Sequence, residues 1–375
     1  MKILVTGAYG FIGKNLIAEL KNRGYDDIYE YDLDCDEKVL DEYTKDCEFV
    51  FHLAGVNRPK DTKEFMEGNF GFTSVLLDKL KQNDNKAAVL ITSSIQALLD
   101  NPYGISKKAG EELMFNYSKE TGAKVYVYRL PNVFGKWCRP NYNSAVATFC
   151  YNIAHGLDIT VNDPSVVMNL VYIDDVVNEF ISAMEGKPNI IEGYGKVPTE
   201  HTVLLGKIAK MIQSFKDSRK NLEVPLMADG FEKKLYSTYL SYLPLDDLAY
   251  DLNMHIDNRG SFTEFLRTEE RGQVSVNISK PGITKGNHWH NTKNEKFLVV
   301  KGEGRISFRK VGEDEVIDYF VSGEKLTVVD IPTGYTHSIT NVGTEDMITV
   351  MWANEPFDPD KPDTYVENVI LPEGE

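Results

Sequence analysis

The 375-residue chain is poor in cysteine, in histidine and in positive charge. Its cysteines, Cys35, Cys47, Cys138 and Cys150, all lie in the N-terminal half and form no Cys-x-x-Cys pair. A disulfide framework or a cysteine-built metal site is therefore not expected, and the thiols read as reduced. Lys and Arg number 41 against 57 Asp and Glu, a formal net charge of −16. Nucleic acid and anionic membrane both demand clustered Lys/Arg, so neither partner is expected. No apolar run approaches the ~18 residues that span a bilayer. The first apolar run begins at Lys2, which leaves no room for a secretory signal, so a cytoplasmic location is expected. Repeats, low-complexity tracts and flexible Gly/Ser or Pro linkers are missing as well. A chain of this length is expected to hold two or three domains with sizeable cores.

The little histidine there is lies concentrated: of seven, three fall between residues 288 and 337. His288 and His290 sit two apart, so on a strand their imidazoles share one face. Glu295 follows a polar turn and leads an apolar run, and Pro332-Thr-Gly-Tyr-Thr-His337 brings a third imidazole behind a turn. His288, His290, Glu295 and His337 form an N3O set suited to Zn²⁺, Fe²⁺ or Mn²⁺. A bare His-x-His more often belongs to solvated strand histidines, so the spacing has to carry the reading.

The N-terminal part has different chemistry. An apolar run over residues 3–6 passes straight into Gly7-Ala-Tyr-Gly10-Phe-Ile-Gly13 and then into a helical pattern through Lys21. Strand, glycine turn and helix are the context of a dinucleotide fingerprint. A second strand ends at Asp32, where an acid would bond the adenine ribose and favour NAD. Only one helix, over 37–46, separates Asp32 from the strand over 49–52, so a βα unit is missing. Asp32 is then equally an adenine-edge contact, and NADP is admitted.

A strand over 87–94 ends in Ser93-Ser94, and Tyr103-Gly-Ile-Ser-Lys107 opens a helix running to about 121. Tyr103 and Lys107 share a helix face. An ammonium there lowers the phenol's pKa, and a serine at the strand end reaches the same substrate oxygen. Register favours Ser94 over Ser93. Residues 186–250 read as helical with Gly/Pro breaks, with helices expected over 201–215 and 246–252. From Asp257 the pattern changes to alternating strands, as in an antiparallel barrel.

Thr6-Gly-x-x-Gly-x-x-Gly13, His52-Leu-Ala-Gly55, Ser94 and Tyr103-x-x-x-Lys107 together resemble the extended short-chain dehydrogenase/reductases. Arg129-Leu-Pro-Asn132-Val-Phe-Gly135 and Val171-Tyr-Ile-Asp-Asp-Val176 support the resemblance. It implies a Rossmann-type α/β parallel sheet with a substrate subdomain over 1–245. It also implies catalytic Ser94, Tyr103 and Lys107, and substrate contacts at Arg129 and Asn132. The implied cofactor contacts are Gly7, Tyr9, Gly10, Phe11, Ile12, Gly13, Asp32, Leu53, Ala54 and Gly55, with Tyr103 and Lys107.

Gly282-x5-His288-x-His290-x4-Glu295-x6-Gly302 resembles the cupin pattern, as does Pro332-x-Gly-x-x-His337-x-x-x-Asn341, although Leu326 stands where that second motif opens with Gly. An all-β cupin barrel over 246–375 with a metal at the four ligands is implied. Asp257-x-Arg-Gly-x-Phe262 resembles the nucleotide-sugar epimerase cupins, which places Lys296 where they carry an enolate-stabilising lysine.

The whole chain resembles the bifunctional bacterial capsular-polysaccharide enzymes. That implies C3 epimerisation of a UDP-2-acetamido-4-keto-6-deoxyhexose, then 4-ketone reduction to UDP-2-acetamido-2,6-dideoxy-L-talose. NADP(H), Zn²⁺, a UDP-sugar substrate and a homodimer are implied with it. The competing reading is a 4-epimerase or dehydratase with a purely structural cupin.

Overall fold

The computed structural model describes residues 1–371 and divides into two compact units. The first comprises Met1–Lys216 and Met227–Leu245, the second Asp217–Leu226 and Asp246–Glu375. The division falls inside a helix.

The first unit is built on a mainly parallel sheet. Strands β1 (Ile3–Thr6), β2 (Ile28–Tyr31), β3 (Phe49–His52), β4 (Ala88–Ser94) and β5 (Val125–Leu130) pair in parallel in the order β2-β1-β3-β4-β5. β1 and β3 are buried at every residue, which is why they read as continuous apolar runs rather than alternating ones. Helix α1 (Phe11–Asn22) follows β1, and α2 (Glu37–Asp46), N-capped by Asp36, joins β2 to β3. β2 is the sheet's edge, so the compressed stretch after Asp32 is a missing outer strand.

A short helical turn (Lys63–Phe65), a π-helical turn (Met66–Gly71) and α3 (Phe72–Gln82) lead to β4, and α4 (Pro102–Thr121) leads to β5. Helices cover both faces. Leu16 and Leu20 of α1 join one core, and Leu40, Leu76, Leu80 and Met114 join the other.

A smaller sheet is formed by β6 (Asn132–Phe134), β7 (Val167–Tyr172) and, after α5 (Ala145–Ala154), α6 (Ile173–Met184) and the short strands β8 (Ile190–Ile191) and β9 (Tyr194–Gly195), by β10 (His201–Leu204). Helices α7 (Leu205–Asn221) and α8 (Gly230–Leu240) pack on it through Ile208, Ile212, Phe215, Phe231 and Leu235.

Two expected helical stretches are corrected. Residues 201–204 are strand, because Thr202 and Val203 pair across to β7 and Thr202 Oγ1 bonds Asn169 Oδ1 at 3.0 Å. Residues 246–252 form no helix; Leu245 is 89% exposed and Leu248 57%, and so short a segment does not hold a helix without a buried face.

The second unit is antiparallel throughout its named strands. One sheet orders β11 (Met254–Asp257), β12 (Gly260–Thr268), β13 (Gly272–Ser279), β20 (Met347–Ala353), β15 (Glu295–Lys301) and β18 (Val328–Ile331). The other orders β17 (Val316–Ser322), β16 (Glu303–Lys310), β19 (Tyr335–Asn341), β14 (Thr284–Trp289) and β21 (Tyr365–Val366). Phe297, Val299, Ile306, Phe308, Ile331 and Ile339 fill the space between them, the two-sheet layout of a cupin-type β domain. Among the described residues no helix is long and apolar enough to cross a membrane.

Candidate functional site

The first unit holds a cleft of about 850 Å³ at the C-terminal ends of its parallel strands. Gly7 turns with φ +70°, and a Cβ there would lie 2.7 Å from the Ala54 nitrogen. A Cβ on Gly13 would meet the Gly7 carbonyl oxygen at 2.2 Å, so only glycine lets α1 start so close to β1. The helix begins at Gly10 with no side-chain cap, leaving its first amides to an anion in the cleft. A dinucleotide pyrophosphate fits that cradle. Gly7, Tyr9, Gly10, Phe11, Ile12, Gly13, Leu53 and Gly55 all line it.

Ala54 and Asp32 do not line the cleft. Asp32 faces the glycine turn instead, accepting from the Tyr9 amide at 2.7 Å and the Leu33 amide at 2.8 Å.

Ser94, Tyr103, Lys107 and Asn132 line the same space. Asn101 caps α4 by accepting from the Gly104 amide, and Pro102 occupies the first turn. A Cβ on Gly104 would meet the Gln96 carbonyl at 2.2 Å, so this glycine lets the helix start against the 3₁₀ turn Ile95–Leu98. That close approach is how a short loop still delivers Tyr103 to Ser94.

The Lys107 ammonium donates to the Thr92 carbonyl at 3.1 Å and lies 5.8 Å from the Tyr103 ring centre. Burial pushes Lys107 down to about 8, against the pull of Glu111. The expected lowering of the Tyr103 phenol is corrected: burial raises it, and the bond with Ser94 only partly offsets this. His52 is scaffold, held between the hydroxyls of Thr6 (2.7 Å) and Thr73 (2.9 Å) and kept neutral by burial, which pushes it down to about 3.

The barrel cleft is about 390 Å³. His288, His290, Glu295 and His337 bring one ligand atom each to within 4.8 Å of one another. A β-bulge aims the first of them. The register shifts between Gly286 (φ +101°) and His288, with Asn287 left-handed at φ +60°. Asn287 is held by the Glu367 amide on its carbonyl and the Val369 amide on its Oδ1.

Glu295 Oε2 lies 3.5 Å from His290 Nε2 and 3.3 Å from His337 Nε2. Ligand atoms 2.0–2.1 Å from a tetrahedral Zn²⁺ stand about 3.4 Å apart. His290 Nε2, Glu295 Oε2 and both ring nitrogens of His337 are buried without a hydrogen-bond partner. Such orphaned atoms are costly unless a cation joins them, and the donor set fits Zn²⁺.

His290 Nδ1 donates to the Asp363 carbonyl at 2.6 Å, which leaves the Nε2 lone pair for a metal. Burial pushes His288 down to about 4, so that ring is neutral and ready to ligate. Burial would raise Glu295, but the imidazoles of His290 and His337 hold its carboxyl well below the usual range.

Comparison with known proteins follows this division. The NAD dependent epimerase/dehydratase family matches residues 3–193, and the polysaccharide biosynthesis C-terminal domain matches 255–365. A UDP-2-acetamido-2,6-beta-L-arabino-hexul-4-ose reductase of Pseudomonas aeruginosa is 46% identical over 98% of this chain and 99% of its own. The chain belongs to the NAD dependent epimerase/dehydratase family. The crystal structure of the capsular polysaccharide assembling protein CapF from Staphylococcus aureus is 55% identical, with a TM-score of 0.93, covering 98% of this chain and all of that one. CapF with the inhibitor 3-isopropenyl-tropolone is 51% identical with a TM-score of 0.89, covering 98% and 100%.

Two residues expected from sequence to act in this epimerase/dehydratase-family chain have other roles. Arg129 does not line the cleft. Its guanidinium grips buried Glu111 through Nε (2.9 Å) and Nη2 (2.6 Å) and bonds the Tyr194 hydroxyl, so it is not free for substrate. Lys296 is corrected by strand alternation: Glu295 and Phe297 face the barrel interior, so Lys296 faces out and pairs with Asp330.

Other residues were missed by sequence reasoning. Glu111 also accepts from Ser93 Oγ at 2.5 Å, which removes Ser93 from contention and leaves Ser94. Asp363 accepts the amides of Asn291, Thr292 and Lys293 and so clamps the turn between His290 and Glu295. Glu111 lies on the same face of α4 as Lys107, a signal the sequence did contain. Asp363 gave none, since its partners are some seventy positions away.

Proposed function

We propose that this chain is a bifunctional UDP-sugar enzyme of capsular polysaccharide synthesis, inverting C3 of a UDP-2-acetamido-4-keto-6-deoxyhexose in the barrel and then reducing the 4-ketone in the Rossmann-type unit to UDP-2-acetamido-2,6-dideoxy-L-talose. The carrying observation is that each unit holds its own cleft with its own acid/base groups. The order follows from the chemistry: the ketone acidifies the C–H beside it, and reduction destroys that ketone. The reductase named among the relatives supports the second step.

In the reductase cleft a bound nicotinamide supplies the hydride. Tyr103 gives its proton to the C4 oxygen, Ser94 orients that oxygen, and Lys107 holds positive charge nearby. Asn132 is exposed on the rim, where it meets the sugar. NADPH is the proposed coenzyme. Both Asp32 oxygens are taken by backbone amides, and Lys14, Arg58 and Arg139 line a cleft of this acidic chain. A clear kcat/KM preference for NADH would reject that choice.

In the barrel the four ligands hold Zn²⁺, whose chemistry when bound is to fix the strands and to polarise a nearby oxygen. His255 is the imidazole of this cleft outside the ligand set, and it takes the C3 proton.

A dehydratase with an inert barrel is disfavoured, because elimination needs an acid/base carboxylate and the one bonded to the serine pair, Glu111, is held by Ser93 and Arg129 and does not line the cleft. The deciding experiment is Tyr103→Phe with the 4-keto sugar in deuterated water. Reduction should stop while deuterium still enters C3; loss of both would refute the division of labour.

A further inference from the structure

Alternation along β16 sends Phe308 into the barrel core and Arg309 to the opposite face, where an arginine is ordinarily solvated. Arg309 is nevertheless only 3% exposed, because the C-terminal segment of the chain lies across it. Its guanidinium engages that segment at three acceptors. Nε donates to the Val369 carbonyl at 3.0 Å, and Nη2 donates to the Asn368 carbonyl at 2.7 Å and to Glu367 Oε1 at 2.6 Å. Nη1 donates to the Glu313 carbonyl at 2.9 Å, which ties the group to its own sheet. Thr336 Oγ1 adds a bond to the Glu367 carbonyl, and Val369 is fully buried.

The same segment bears on both histidines of the His-x-His pair. Strand β21 pairs with β14 at His288 and Trp289, and the Tyr365 ring stacks on Trp289 with centroids 4.7 Å apart. The Glu367 amide donates to the Asn287 carbonyl at 2.9 Å, and the Val369 amide donates to Asn287 Oδ1 at 3.1 Å. The left-handed residue that turns His288 inward is therefore fixed from the C-terminal side. At the other end of the segment the Asp363 carbonyl holds His290 Nδ1 at 2.6 Å. Neither imidazole is aimed by its own strand alone.

We propose that residues 363–369 form a strap that aims His288 and His290 at the ion, and that Arg309 is the positioning residue that keeps this strap seated. The proposal rests on the metal reading of the barrel cleft and extends it to residues outside the ligand set. Among the described residues Arg309 bonds none of the four ligands; it acts through the strap. Strap and ion are then linked. An ion that binds the aimed imidazoles favours the seated strap, and a loosened strap weakens the ion by the same factor. Arginine suits this position because its planar fork meets a carboxylate and two carbonyls at once. A lysine keeps the charge and loses that geometry.

The test uses the full-length protein, Zn²⁺ alone as the probe and competition with a chelator to measure affinity. Arg309→Met should bind Zn²⁺ about 10–100-fold more weakly, the range for lost outer partners of ligating histidines. Amide exchange over residues 363–369 should quicken in the same protein even at saturating Zn²⁺. Arg309→Lys should fall between parent and Arg309→Met, and it decides the matter alone if Arg309→Met does not fold. Adding Asp363→Ala to Arg309→Met should weaken binding little further, since both act through one strap. Val321→Ala, in the barrel core where β17 pairs with Gly304, is the stability control: it should lower the melting temperature and keep parental Zn²⁺ affinity. Parental affinity in the Arg309 variants would overturn the proposal and leave the metal site standing. An equal loss of affinity in Val321→Ala would reduce the arginine's effect to general stability and overturn it too. A parent protein that binds no Zn²⁺ would reject the metal reading itself, and this inference with it.

Discussion

Lys107 and Tyr103 illustrate how burial and charge divide work between neighbours. Burial lowers Lys107 to about 8 and raises Tyr103, so at neutral pH the phenol keeps its proton and the lysine its charge. Below pH 8 the ammonium is present, and above it the charge is lost. We therefore expect kcat/KM for ketone reduction to fall as pH rises through about 8, and the fall to vanish in a Lys107→Met protein whose residual rate is pH-flat there. Arg129 belongs to the scaffold rather than to the substrate. Replacing it by Met strands Glu111, which is 2% exposed, and should cost about 3 kcal/mol in urea unfolding while the KM for UDP-sugar is unchanged. A raised KM at constant stability would return Arg129 to the substrate.

At the level of elements, each site depends on a local irregularity that brings side chains to one point. α4 begins where Gly104 admits the backbone of the 3₁₀ turn, and β14 bulges at Gly286 to turn His288 inward. The turn after His290 is ordered by a single carboxylate, that of Asp363, which accepts from Asn291, Thr292 and Lys293. Asp363→Ala should weaken metal binding by about 10–100-fold, the range for lost outer partners of ligating histidines. Competition with a chelator measures this directly, and parental affinity would show the turn to be ordered without Asp363.

At the scale of the whole molecule, two compact units carry different chemistry on a strongly acidic chain. On the proposed reading, removal of the barrel's Zn²⁺ should lower the barrel's melting temperature, since such a ligand shell couples to folding, while binding of the nicotinamide coenzyme in the other unit persists. Simultaneous loss of coenzyme binding, followed by fluorescence titration, would show that the units do not act independently. A homodimer is the proposed assembly. Val316, Ile317, Tyr319 and Phe320 are exposed on edge strand β17, an apolar edge of the kind that proteins usually cover. A monomeric mass by light scattering at micromolar concentration would contradict this.

Sequence alone determined the parts whose signal is local. The glycine turn between β1 and α1, the Tyr103–Lys107 pair one helical turn apart, and the His288/His290 pair follow from backbone periodicity over a few residues, whereas His337 came from a separate motif 42 positions beyond Glu295. The compressed region after Asp32 was legible too, because a missing strand shortens the chain. Tertiary structure decided which way the charged side chains point. Lys293 and Lys296 are three residues apart, yet one is buried in the cleft and the other faces solvent, because Lys293 sits in a turn held by Asp363 and Lys296 alternates outward on β15. Arg129 likewise became scaffold only once α4 placed Glu111 beside it. A residue type and its spacing specify which chemistry is available, whereas the partner that engages a charge comes from distant strands and helices that only folding brings near.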